Sequence, residues 1–150
     1  MLEPLNTLLA ASNPHFVNRA EAGGDIIPLR HITFPPASAT AVAALEDALQ
    51  GSDTVLPALY RESDGLQLFA NRADPGECFF FLPLAQMAAE KTMLYEWLLL
   101  DDENCEDGDA VYGVPTWWDS TIVFAGFGQA EERFYLVTAG AHRGKVFYFN

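Results

Sequence analysis

The chain is short of bases. Eight Lys and Arg stand against 21 Asp and Glu, a formal charge of −13 over 150 residues. A surface this acidic repels phosphate backbones and anionic lipid, so neither nucleic acid nor a membrane is expected as a partner. Cysteine is scarce as well. Cys78 and Cys105 make no disulfide framework. The three histidines, His15, His31 and His142, are scattered, and no Cys-x-x-Cys or closely spaced His pair points to zinc. Long apolar runs are missing. The strongest, at 78–82 and 97–100, fall far short of the roughly 20 residues that span a bilayer. The first apolar stretch has no Lys or Arg ahead of it and is not expected to be a secretory signal. A reducing cytoplasm is the expected compartment. There is no Gly-x-Ser-x-Gly elbow and no phosphate-binding loop. Gly126-Phe127-Gly128 follows a strand pattern but lacks the third glycine and the helix of a dinucleotide loop.

What is present is a globular composition: half the residues are apolar and 13% aromatic. A single domain of this length buries roughly 70% of its unfolded surface and needs no metal or disulfide to fold. The charge is uneven. Residues 73–132 hold thirteen acids and one base, Lys91, whereas 133–150 hold Arg133, Arg143 and Lys145 and no acid. The negative field belongs to the middle of the chain.

Apolar periodicity predicts a short helix over 2–11, then a loop over 12–25. Residues 26–34 read as a strand that Pro28 and Pro35-Pro36 restrict to a sheet edge. Ser38 or Thr40 caps a helix over 41–50, which Gly51 stops. Pro57 opens a second short helix. Strands follow at 66–69 and 78–82. A helix starts at Pro83 and runs to about 100, although Lys91 interrupts its apolar face. An acidic loop extends to about 109. Strands at 121–125, 133–137 and 145–149, joined by Gly-containing turns, form an antiparallel meander. The class is α+β, a single domain with helices packed on an antiparallel sheet of about four to six strands. Leu56, Tyr60, Phe69, Phe79, Phe81, Ile122, Phe124, Tyr135 and Phe147 are the expected core, with Cys78 a small buried hydrophobe. His142 is expected in a solvated turn.

Two features stand out as candidate sites. Asp101, Asp102, Glu103, Glu106, Asp107 and Asp109 place six carboxylates in nine residues. A calcium loop read from Glu103 would put Gly108 at the sixth position but Cys105 at the third and Val114 at the twelfth, where oxygen ligands are needed. Two readings fit the stretch: a solvated loop, or a negative docking surface that steers a basic partner. Trp117-Trp118 follows Pro115. Neighbours in an extended segment point to opposite faces, so one of the two is expected in the core and the other is available as an interface anchor. No catalytic residue, metal or cofactor is expected, and a sheet edge leaves homodimerisation open.

The run Leu56-Pro57-Ala58-Leu59-Tyr60-Arg61-Glu62-Ser63-Asp64-Gly65 resembles the signature of the SUKH superfamily, a Leu-Pro start and a short helix ending at Gly. Phe81-Leu82-Pro83-Leu84 is similar to its next mark, a strand entering a helix. Ile122-Val123-Phe124-Ala125-Gly126-Phe127-Gly128 with the return Phe134-Tyr135-Leu136 is similar to its strand, turn and returning strand. Gly144-Lys145-Val146-Phe147-Tyr148-Phe149 is similar to the closing strand. Family members often carry an Asp after the Gly-rich turn, where this chain has Gln129-Ala130-Glu131-Glu132. The resemblance covers residues 38–150 and leaves 1–37 as an N-terminal extension. It implies protein binding without catalysis. The superfamily includes bacterial immunity proteins that neutralise toxins, often nucleases, and regulators of fungal cell-wall glucan synthesis. The leading expectation is an immunity protein that occludes a cognate, basic toxin through the acidic stretch with Trp117 or Trp118. The alternative is a regulatory or scaffold protein acting on endogenous partners.

Overall fold

A computed structural model of the chain describes residues 7, 9, 11, 17–19, 26–51, 55–71, 76–104, 114–128 and 132–149; for 17–19, 26–28 and 98–104 it describes the backbone alone. The predicted helix over 2–11 thus lies largely outside the described residues. The elements run β1 (Val17–Arg19), β2 (Ile26–Thr33), α1 (Ala39–Leu49), α2 (Val55–Tyr60), β3 (Leu66–Asn71), β4 (Phe79–Phe81), α3 (Met87–Asn104), β5 (Thr121–Phe127), β6 (Arg133–Val137) and β7 (Val146–Phe149). The class is α+β. β2 to β7 make a six-stranded antiparallel meander in chain order, and β1 adds a short hairpin strand that the sequence reading left as loop. Each helical insertion leaves from one strand and returns to its antiparallel neighbour.

Pro28 finds its place in this pattern. Residues 26–28 of β2 pair with β1, whereas 29–33 pair with β3. No part of β2 is flanked on both sides, so the missing N–H of Pro28 leaves no gap in a two-sided ladder. β3 then bulges. Arg30 pairs with Ala70 but Ile32 with Gln67, which gives β3 one extra residue. Phe69 absorbs it with φ of 59°, a left-handed conformation unusual for an aromatic residue. Its N–H donates to Nδ1 of the buried His31 at 3.3 Å, and the two rings meet edge to face. The bulge turns Phe69 outward. It is 41% exposed and is not the core residue that its neighbours suggested.

α1 starts two residues earlier than predicted because Ser38, and not Thr40, is the cap, its Oγ accepting from the Ala41 N–H at 3.2 Å. It ends on Gln50 and Gly51, both left-handed. α2 leads into a corner that ties three elements together. Tyr60, fully buried, donates its phenol to the Leu82 carbonyl at 2.6 Å. Ser63, also fully buried, accepts from the Phe34 N–H and donates to the Gly65 carbonyl. Asp64 Oδ1 accepts from the Leu84 N–H at 2.9 Å, satisfying an orphan donor of the 3-10 turn ahead of α3.

Residue alternation and register assign side chains to faces. Phe80, Gly126, Arg133, Tyr135 and Phe147 share one face. α3 packs there: Arg133 Nε donates to Glu90 Oε2 at 2.8 Å, Trp97 stacks on Phe149, and the Arg133 guanidinium lies 5.3 Å from the Phe80 ring centre. Gly126 makes room for this layer, since a Cβ there would meet Phe80 Cζ at 2.6 Å. On the opposite face a chain of half-buried rings runs Tyr148, Phe134, Phe79, Phe81, Phe124, with successive centroids 4.8–6.0 Å apart. The core joins Val42, Leu45 and Leu49 of α1, Leu56 and Tyr60 of α2, and Met87 and Leu94 of α3 to Leu82, Trp118, Val123, Tyr135 and Leu136. Cys78 is buried as expected.

Candidate functional site

α3 is the element on which the candidate sites meet. It is not broken at Lys91. That side chain crosses to the entry of β5, where Nζ donates to the carbonyls of Asp119 and Thr121 at 3.0 and 2.9 Å and lies 5.9 Å from the Trp118 ring centre. A lysine on the apolar side of the helix is thereby accounted for, because its stem packs while its ammonium bonds two carbonyls. Burial lowers the Lys91 pKa, and the nearby Asp119 carboxylate offsets part of that shift.

Beside Lys91 runs an open groove of about 650 Å³. Ala41, Ala44 and Ala48 of α1 form one wall, and Ala85 of the 3-10 turn with Ala88 at the start of α3 form the other. Ile122 and Val123 contribute apolar surface, and Ser38, Asp64, Lys91 and Thr121 supply the polar groups. The groove exists because side chains that stop at Cβ cannot fill the space between two helices. Its size and mostly apolar lining suit a docked ligand or an inserted side chain. The sequence reading missed it. The available signal was the spacing of alanines at 41, 44 and 48, which puts them on one helical stripe.

α3 also extends four residues beyond its predicted end. Asp101, Asp102 and Glu103 therefore stand on its last turn and not in a loop, although their side chains lie outside the described residues. Carboxylates at a helix C-terminus oppose the macrodipole, which is why sequence rules end the helix earlier. Glu106, Asp107 and Asp109 lie outside the described residues. Of the two tryptophans, Trp118 is 4% exposed, packed against Tyr135 and Tyr95, and has no ring surface to offer a partner. The reason is a 3-10 turn at Trp118–Ser120 that folds it inward. Trp117 is half-buried and stacks on Phe147 at 4.7 Å. His142 is not merely solvated: it packs against Trp117 at 5.5 Å, and its Nδ1 is buried with no hydrogen-bond partner among the described residues. The structure thus places Trp118 beside Lys91 and the groove, and Asp101, Asp102 and Glu103 at the far end of the same helix.

Cys78, His31 and Tyr60 are engaged in packing. Burial raises the Cys78 thiol and lowers the His31 imidazole, and His31 already accepts from the Phe69 N–H. Burial first, and the Asp64 charge second, hold the Tyr60 phenol neutral well above the usual tyrosine range. Among the described residues no three His, Cys, Asp or Glu gather where they could hold a metal ion. No helix among them is long and apolar enough to cross a membrane. What the arrangement offers is a concave apolar surface with one cation on its wall, and three acidic positions at the other end of the helix that lines it. In comparisons with protein-family models, curated proteins and solved structures, nothing matched this chain.

Proposed function

We propose that the chain is a non-enzymatic protein-binding domain of the immunity type, which neutralises a cognate toxin by covering its active site. The observation that carries the reading is the division of labour along α3. Its first turns line an apolar groove, and its last turn begins the acidic run 101–109. Lys91 and Glu103 are twelve residues apart, about 18 Å along a helix. A partner burying about 800 Å² on this side spans that distance and engages both ends. The groove supplies desolvated contact, and the carboxylates, in a segment of net charge −12, steer a basic partner into place. A nuclease is basic along its substrate channel and so has the complementary charge. The SUKH-like order of motifs in the sequence supports a binding role, and that superfamily includes immunity proteins as well as regulators. No cofactor takes part. Trp117, half-exposed beyond the helix, is the aromatic anchor of the surface.

The test is affinity capture on the immobilised full chain from a lysate of the native organism, washed at low and at high salt. The expected result is one protein carrying a basic domain, released by salt. Capture of the organism's own enzymes or signalling proteins instead would replace the immunity reading with a regulatory one. Capture that ignores salt and the charge of residues 101–109 would overturn the site.

A further inference from the structure

β7 is the last strand in the sheet order, and among the described residues no strand pairs with its outer side. Which of its backbone groups face outward follows from its pairing with β6. The Val137 N–H donates to the Lys145 carbonyl at 3.0 Å, so Lys145 and Val137 are a hydrogen-bonded pair. In an antiparallel ladder such pairs alternate with non-bonded ones. Phe147 and Phe149 then bond inward to β6, and the N–H and C=O of Val146 and Tyr148 point away from the sheet. The ring spacings agree. Phe134 and Tyr148, a non-bonded pair, are 4.8 Å apart, whereas Tyr135 and Phe147, a bonded pair, are 5.8 Å apart.

We infer that this edge pairs with the same edge of a second copy, β7 against β7, about a two-fold axis at Phe147. Antiparallel pairing about that axis sets Val146 opposite Tyr148 of the partner and the reverse. Those are the two residues whose backbone groups are turned outward, so a single register closes four hydrogen bonds. It also keeps each face continuous. Val146 and Tyr148, 54% and 46% exposed, share the face of the ring chain and would pack on each other's counterparts across the junction. The strand Val146–Phe149 contains no charge and no proline, the devices that ordinarily blunt an edge.

The strand itself carries no charge to oppose a second copy, and the acid beside it, Glu132, is taken up by the Tyr148 phenol. A chain of −13 repels itself nearly everywhere, but 133–150 contains no acid. Arg133 is paired with Glu90, and Arg143 bonds the Gln50 carbonyl, leaving Lys145 as the exposed cation beside the strand. In this register the two Lys145 side chains start about 13 Å apart, beyond the roughly 8 Å Debye length of physiological salt. The helices do not obstruct it. α3 lies on one face of the sheet, over β5 and reaching β7 where Trp97 stacks on Phe149, whereas the β7–β7 hydrogen bonds form in the plane of the sheet. The contact is small, so the dimer is a weak, concentration-dependent one.

The test is sedimentation equilibrium of the full chain from about 5 µM to about 500 µM, with backbone amide exchange followed by NMR over the same range. The expected result is a mass rising from 16.5 kDa toward twice that value. Protection should grow with concentration at the Val146 and Tyr148 amides, while Phe147 and Phe149 stay protected throughout. Val146→Pro removes one outward donor at the start of an edge strand, where proline is tolerated. It should leave the circular dichroism unchanged and the chain monomeric, while Val146→Thr still dimerises. A chain that stays at 16.5 kDa at the highest concentration overturns the inference, and so does a dimer that survives Val146→Pro.

Discussion

Removing one oxygen from Tyr60 tests the corner that joins α2 to the sheet. The Tyr60 phenol donates to the Leu82 carbonyl at 2.6 Å, and neither residue has appreciable exposure. Tyr60→Phe keeps the ring and leaves that carbonyl without its donor. A buried acceptor left unpaired costs about 1–3 kcal/mol. In a domain of this size each kcal/mol moves Tm by about 2–4 °C, so the variant should melt about 2–12 °C lower at neutral pH. The pH dependence supplies an independent check. The folded-state pKa of Tyr60 is raised by burial, then by Asp64, so the native state keeps the proton when the unfolded chain has lost it. Stability from this group is fully present below about pH 10, the unfolded pKa, and is lost as pH rises toward the folded value. At pH 11 the wild type should have lost about 1.4 kcal/mol that Tyr60→Phe cannot lose. The gap between the two proteins should therefore shrink between pH 8 and 11, as read from urea midpoints. Equal Tm values at neutral pH, or a gap that does not change with pH, would refute the hydrogen bond and its burial.

Arg133→Met strands Glu90 against the sheet and should cost about 3 kcal/mol in urea unfolding; the double variant with Glu90→Met should recover part of it, and a single variant no worse than the double would show that the pair is not buried. Gly126→Ala places a Cβ within 2.7 Å of both Phe80 Cζ and the Glu132 carbonyl, so it should destabilise by about 1–3 kcal/mol; an unchanged Tm would mean that Phe80 does not lie over Gly126. The His31 pKa is lowered by burial, so its contribution is present above the unfolded pKa of 6.5 and is lost as pH falls toward the folded value. Stability of the wild type should drop between pH 7 and 5, and His31→Gln, which can still accept from the Phe69 N–H, should flatten that slope; parallel slopes would exclude His31 as the titrating group.

Much of this fold is legible because its local signals agree with its tertiary ones. β6 falls at its predicted bounds, 133–137, and Ser38 caps α1 as a serine before an apolar periodic stretch does. The misreadings share a cause: in each, a tertiary contact overrules a local rule. Lys91 looked like an interruption because the carbonyls of Asp119 and Thr121 that receive it are some thirty residues away. Phe69 looked like core because nothing local announces that His31, on the next strand, holds it in a left-handed bulge. Trp117-Trp118 was readable as one inward and one outward ring, but which is which depends on the 3-10 turn that follows. The groove could not be read at all from charge or motif. It is a space left by small residues on two helices far apart in sequence, and only the packing of α1 beside the start of α3 creates it.

The most direct test of the binding account is the association rate of the captured basic partner with the wild-type chain and with a variant carrying Asp101→Asn, Asp102→Asn, Glu103→Gln, Glu106→Gln, Asp107→Asn and Asp109→Asn. Stopped-flow measurements at low and high salt separate steering from contact, because steering acts on the rate of association and is screened by ions. The wild type should associate at least about tenfold faster than the variant at low salt, and the two rates should converge at high salt. Rates that are equal at low salt would contradict the account and remove the acidic end of α3 from the binding surface.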